Sequence, residues 1–153
     1  MKKQLLSGLL MLISYSGLAA DPVSTGYFNS VAIDGHDTVQ YHSEAARSKH
    51  NEVKGEERFS VEWNNATWLF ASQASADKFS ASPEKYAPQY NGFCSNGLSL
   101  DEGLIPTDGT VWEFFGGNLH LFYAERGRQR WLNGDWKNYR TQADKAWESL
   151  RQQ

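Results

Sequence analysis

The alternation of large apolar and polar side chains is sharpest between Phe59 and Ser72. Phe59, Val61 and Trp63 alternate with Ser60 and Glu62, and beyond Asn64-Asn65 the residues Ala66, Trp68 and Phe70 alternate with Thr67 and Leu69. A period of two predicts strand, and an Asn-Asn pair supplies a two-residue turn with positive φ at both positions. That register sets Trp63 opposite Ala66, Val61 opposite Trp68 and Phe59 opposite Phe70 on one face, with Glu62 opposite Thr67 on the other. A hairpin is therefore predicted over 58–71. A second is predicted over 110–123, turning at Gly116-Gly117, with Phe114 opposite Leu119 and Trp112 opposite Leu121. Glu113 then faces His120 on the outer surface, as an exposed cross-strand contact.

Helical spacing appears elsewhere. Ser72 can cap a helix over 72–80 that carries Ala76 and Phe79 on one side. Pro83 suits the first position of a short turn running to Tyr86. Glu125 to Leu132 forms one later helix, stopped near Gly134, and Trp136 to Leu150 another, with Tyr139, Ala143, Ala146 and Leu150 on one face. The remaining segments read as short or irregular. Asp21 to Thr25 is a flexible leader, Thr38 to His42 a short strand, Ala45 to Glu57 a polar loop, and Asp101 to Gly109 another loop. Pro88 to Gly97 is an aromatic, glycine-bearing stretch that holds Cys94. The fold class expected is α+β, with two antiparallel β-hairpins in a small sheet packed with short helices and a C-terminal helix.

The apolar run from Leu5 to Tyr15 belongs to a different pattern. It follows Lys2-Lys3 and precedes Ser16-Gly17-Leu18-Ala19-Ala20. A positive start, a short apolar stretch and a small-residue site are the layout of a secretory signal peptide over 1–20, cleaved after Ala19 or Ala20. The run falls short of the about 20 apolar residues that span a bilayer. Residues 21–153 are then one exported, periplasmic domain with no stable membrane insertion. Charge argues against nucleic acid as a partner: the formal charge is −3 before Lys2 and Lys3 are removed, and no basic patch stands out.

Candidate chemistry is sparse. Nucleophile-elbow, phosphate-loop, dinucleotide and paired-histidine metalloprotease motifs are all missing, which points away from an enzyme. The single cysteine, Cys94, has no intramolecular disulfide partner. It is a buried small hydrophobe, a thiol paired with another molecule, or a ligand to a metal or cofactor. The four histidines are His36, His42, His50 and His120, and no two stand at i, i+3 or i, i+4. His36 fits a turn, His42 ends the short strand, and His50 fits a solvated loop. A site built from Cys94 and histidines would suit copper(I) or haem iron by ligand softness, copper before haem. Six Trp, seven Tyr and eight Phe supply core area and potential pocket walls alike.

Phe59-Ser-Val-Glu-Trp63, the run Asn64 to Phe70, and Ser82-Pro83-Glu84-Lys85-Tyr86 resemble the YHS domain. The mature chain is similar to an exported, single-domain subgroup of it. Gly35-His36-Asp37-Thr38-Val39-Gln40-Tyr41 answers that subgroup's Gly-Tyr-Asp-Pro-Val-Ala-Tyr-like element, and Tyr86 to Cys94 answers a Tyr-Ala-Pro-Gln-Tyr-Gly-Gly-Tyr-Cys-like element. The resemblance implies metal binding, with copper the usual suggestion. Metal-handling versions carry Phe-Cys-Ser-x-x-Cys, where this chain has Phe70-Ala71-Ser72-Gln73-Ala74-Ser75. Both thiol positions are lost, so a metal would rest on Cys94 with His36, His120 or His42. Two of these, His36 and His120, stand where the subgroup often has Tyr.

Two functions follow as expectations. One is a periplasmic, non-catalytic domain that binds a soft metal or metal cofactor through Cys94. The other is a metal-free module for a small ligand or protein, in which Trp63, Trp68, Tyr90 and Phe93 line an aromatic pocket.

Overall fold

The computed structural model describes residues 19–153. The expected signal peptide over 1–20 lies almost wholly outside the described residues. The fold is α+β. The first hairpin pairs β1 (Glu56–Trp63) with β2 (Ala66–Phe70), and the second pairs β3 (Trp112–Phe115) with β4 (Asn118–Leu121). Each is a separate two-stranded antiparallel sheet. Among the described residues six α-helices surround them: α1 (Glu44–Lys49), α2 (Gln73–Ala81), α3 (Pro83–Tyr86), α4 (Ser95–Ser99), α5 (Glu125–Asn133) and α6 (Trp136–Arg151).

Both turns follow from residue type. Asn64 and Asn65 sit at φ 50° and 57°, and Gly116 and Gly117 at 58° and 81°. Positive φ at two consecutive positions matches the right-handed twist of the flanking strands. Val61 pairs with Trp68, Glu62 with Thr67 and Trp63 with Ala66, as the alternation requires. The pairing of Phe59 with Phe70 does not form. Glu56 takes that place and the ladder shifts between Glu56 and Ser60. Gly55 permits this: its Cα lies so close to β2 that a Cβ there would clash with the Leu69 backbone carbonyl. The strand therefore begins against the end of β2, and the surplus residues form a bulge. In the second hairpin every expected pair is present, including Glu113 with His120.

Three segments differ from the sequence reading. Thr38 to His42 is no strand, because buried Asp37 accepts the Val39 and Gln40 N–H groups through Oδ1 at 3.0 and 3.2 Å and turns the chain into one 3-10 turn, Gln40–His42. The loop expected from Ala45 holds α1 instead. Ser43 caps it by accepting the Ala46 N–H at 3.1 Å, and His50 stops it in a left-handed conformation. The leader Asp21 to Thr25 is docked. Ser24 Oγ accepts the Thr107 N–H at 2.9 Å, and the Pro22 carbonyl accepts from Asn91 Nδ2 at 3.0 Å.

The second hairpin lies between two cores. One face carries Trp112, Leu119 and Leu121 against Trp68, Phe70 and Phe79 of the first hairpin and α2. The opposite face sends Phe115 and Phe122 against Trp131 of α5 and Ala143 of α6. Tyr139, Ala146 and Leu150 of α6 pack against this second core, so the helical stripe was read correctly.

Candidate functional site

Cys94 is buried, and its thiol has a structural task. It is the N-cap of α4: the sulfur accepts the Gly97 N–H at 3.4 Å and the Tyr123 N–H at 3.3 Å. One sulfur thus closes the start of a helix and ties it to the exit of β4. Next in sequence, Ser95 is fully buried, and its Oγ lies 2.9 Å from His120 Nδ1.

His120 corrects the sequence reading. It pairs with Glu113 in the ladder, yet its side chain is completely buried rather than an exposed contact. Helices α5 and α6 cover that face. The ring lies 5.0 Å from Trp131 and 5.8 Å from both Tyr90 and Phe115, centroid to centroid. Glu113 turns instead to Arg128, whose Nη2 donates to it at 2.6 Å. Burial, aided by the positive charge of Arg140, pushes the His120 pKa down from 6.5 to about 3, so the imidazole is neutral at pH 7. His120 Nε2 and Trp131 Nε1 are both buried without a hydrogen-bond partner.

The other two candidate ligands lie elsewhere. His36 is buried, with Nδ1 3.1 Å from the Ile33 carbonyl oxygen. The chain passes tightly here: a Cβ on Gly109, at φ 84°, would stand 2.9 Å from His36 Nδ1 and 2.7 Å from the Tyr41 hydroxyl. His42 is half-buried, edge-on to Tyr86 at 5.4 Å and to Phe114 at 5.2 Å. Burial lowers its pKa, and the charges of Arg47 and Lys85 lower it further. Phe114 belongs to the Trp112 face of the second hairpin, so His42 and His120 lie on opposite sides of it. His50, expected in a solvated loop, stacks on Trp112 at 4.2 Å with ring planes 4° apart.

These donors do not fit a copper or haem centre. The sulfur is buried at a helix start, and the histidines are divided between the two faces of a hairpin. No group of three His, Cys, Asp or Glu placed to hold a metal ion occurs among the described residues. The positions of the lost thiols carry a different arrangement: the Ala71 N–H donates to Asp37 Oδ2 at 2.9 Å, and buried Ser75 accepts from Gln40 Nε2 at 3.0 Å.

A cleft of about 280 Å³ is present where α3, the first turn and α6 meet. Trp63, Tyr90 and Trp147 wall it, with Asn64, Gln89 and Glu84 supplying polar groups. Trp63 borders the cleft half-buried, and Tyr90 borders it from the core, 5% exposed. Trp68 and Phe93 are core instead, 1% and 6% exposed. Trp147 was missed, although its spacing from Ala143 and Leu150 is helical and places it beside the core stripe. The Tyr90 hydroxyl donates to Asp144 Oδ1 at 2.8 Å, which fixes that ring, and burial raises its pKa. Asp21 reaches the rim, held by Arg151 at 3.0 Å. Comparison with protein-family models, curated proteins and solved structures finds no match.

Proposed function

We propose that residues 21–153 form an exported binding domain, related by resemblance to YHS domains, that takes a small ligand in the Trp63–Tyr90–Trp147 cleft without a metal. The observation that carries this reading is the cleft itself. The rings of Trp63 and Trp147, the side-chain amides of Asn64, Gln89 and Asn91 and the carboxylates of Asp21 and Glu84 converge there, and convergent polar groups beside aromatic rings are how small-molecule sites orient their ligands. These groups bind and orient; none stands as an activated nucleophile beside a base. The soft-metal reading has weaker support, because Cys94 caps a helix and its candidate partners are dispersed.

The test is a small-fragment screen read by two-dimensional NMR on the mature protein. Saturable shifts should appear at the Trp63 and Trp147 indole signals and at the Asn64 and Gln89 side-chain amides. A screen whose hits all map to Cys94 and His120 would reverse the order of the two readings.

A further inference from the structure

Three rings and two cations meet on a second surface, built around His42. His42 ends the 3-10 turn and is half-buried, edge-on to Phe114 of β3 and to Tyr86 of α3. Each of those two rings carries a cation. The Arg47 guanidinium of α1 lies over Phe114 at 4.3 Å, and the Lys85 ammonium of α3 lies over Tyr86 at 5.1 Å. Both cations are exposed, whereas all three rings are half-buried. None of these residues lines the Trp63 cleft.

Nothing within the patch balances its charge. Neither Arg47 nor Lys85 forms an ion pair among the described residues. Of the neighbouring carboxylates, Glu113 is turned to Arg128 at 2.6 Å, and Glu84 borders the cleft. Glu44, in the first turn of α1, is exposed and leaves Arg47 unpaired. The charges that act on the His42 imidazole are those of Arg47 and Lys85, and they oppose its protonation together with burial, against a backbone hydrogen bond at Tyr86. His42 Nε2 is buried without a hydrogen-bond partner. The patch therefore lacks a counter-charge that an acidic ligand would bring.

We propose that this patch docks an acidic peptide segment of another protein, with carboxylates on Arg47 and Lys85 and apolar side chains on Phe114, His42 and Tyr86. A guanidinium stacked on a ring is held in place, and its N–H edge stays open to a carboxylate. Half-buried rings add apolar contact that a bare ion cannot use, and aromatic rings with arginine are what protein interfaces are enriched in.

The experiment titrates the mature protein at low ionic strength with a short blocked peptide of alternating Glu and Leu. The comparison ligands are its Gln–Leu counterpart, glutarate and inorganic phosphate, all read from the His42 ring and the α1 and α3 amides by NMR. Phosphatidylglycerol vesicles are tested by co-sedimentation. The Glu–Leu peptide should bind about tenfold or more tightly than the Gln–Leu peptide or glutarate, and should weaken severalfold as salt is raised. Arg47→Gln and Lys85→Gln should each weaken it about threefold or more. Lys145→Gln, the same charge change on α6, should not. All three positions are exposed, so the variants should fold as the parent does. Lowering the pH from 7 to about 5.5 leaves glutamate ionised and adds charge at His42, so binding should tighten. That gain should vanish in His42→Gln. Equal affinity for the Glu and Gln peptides, or an equal loss in Lys145→Gln and Arg47→Gln, would overturn the assignment. Phosphate or glutarate binding as tightly as the peptide would reduce the patch to an oxyanion site and overturn the peptide partner. Vesicle binding that needs Arg47 and Lys85, without peptide binding, would overturn it in favour of a membrane.

Discussion

Asp37 holds Ala71 across 34 residues of chain: its buried Oδ2 accepts the Ala71 N–H at 2.9 Å, just past the end of β2. The other oxygen accepts from Val39 and Gln40. One carboxylate thus sets the turn that follows it and fastens that turn to the entry of α2. Gln40 adds a second tie, donating to Ser75.

Asp37→Ala removes the shared acceptor of three backbone N–H groups in the interior. It should cost about 3–5 kcal/mol in urea unfolding at pH 7. Asp37→Asn is the sharper comparison. Its carbonyl oxygen can keep Val39 and Gln40, but its NH₂ then confronts the Ala71 N–H. A loss of at least about 1.5 kcal/mol is expected from Asn alone. A fully stable Asn variant would show that the Ala71 tie is dispensable.

Cys94 should behave as a cap. Cys94→Ala leaves the Gly97 and Tyr123 N–H groups without their acceptor, at a cost of about 2 kcal/mol. Cys94→Ser restores an acceptor of a type favoured at helix starts and should lie within about 1 kcal/mol of the parent. Equal destabilisation by Ala and Ser would count against this role.

Acid sensitivity should track His120. The folded state holds this imidazole neutral down to about pH 3, whereas the unfolded chain binds a proton near the ordinary 6.5. Between those values the unfolded state carries the extra proton. The stability this imidazole contributes is therefore present above pH 6.5 and is lost as pH falls toward 3, by at most about 1.4 kcal/mol per unit. His42 is shifted in the same direction and adds to the trend. Urea unfolding from pH 7 to 4.5 should show a shallower decline for His120→Gln, whatever its stability at pH 7. Parallel profiles would assign the acid limb to other groups.

Export predicts a new N-terminus at Ala20 or Asp21, read by mass spectrometry of protein from its native compartment. Mature protein that retains Met1 would contradict it.

The hairpins were legible because their turns are chemically explicit. Asn64-Asn65 and Gly116-Gly117 tolerate positive φ, and the alternating positions beside them set the register. Alternation could not say what covers the far face of β4. His120 read as exposed because Glu113 is its ladder partner. Phe115 and Phe122, on the same face, were the available signal that helices close over it. The cap at α4 was hidden for another reason: cysteine is not a favoured cap, and Ser95-Asn96-Gly97 are poor helix formers. The cleft was half visible. Trp63 and Tyr90 lie in strongly patterned stretches, while Trp147 joins them only when α6 docks from 57 residues farther along than Tyr90.

Because the β3–β4 hairpin is covered on both sides, the opening of one helix or one loop still leaves one face of β4 packed. The amides of His120 and Phe122, which point at the partner strand, should therefore exchange with deuterium only when the whole domain unfolds. Their exchange rates would act as an internal clock for global unfolding. Movements of the cleft, whose walls come from α3, the first turn and α6, should leave that clock unchanged.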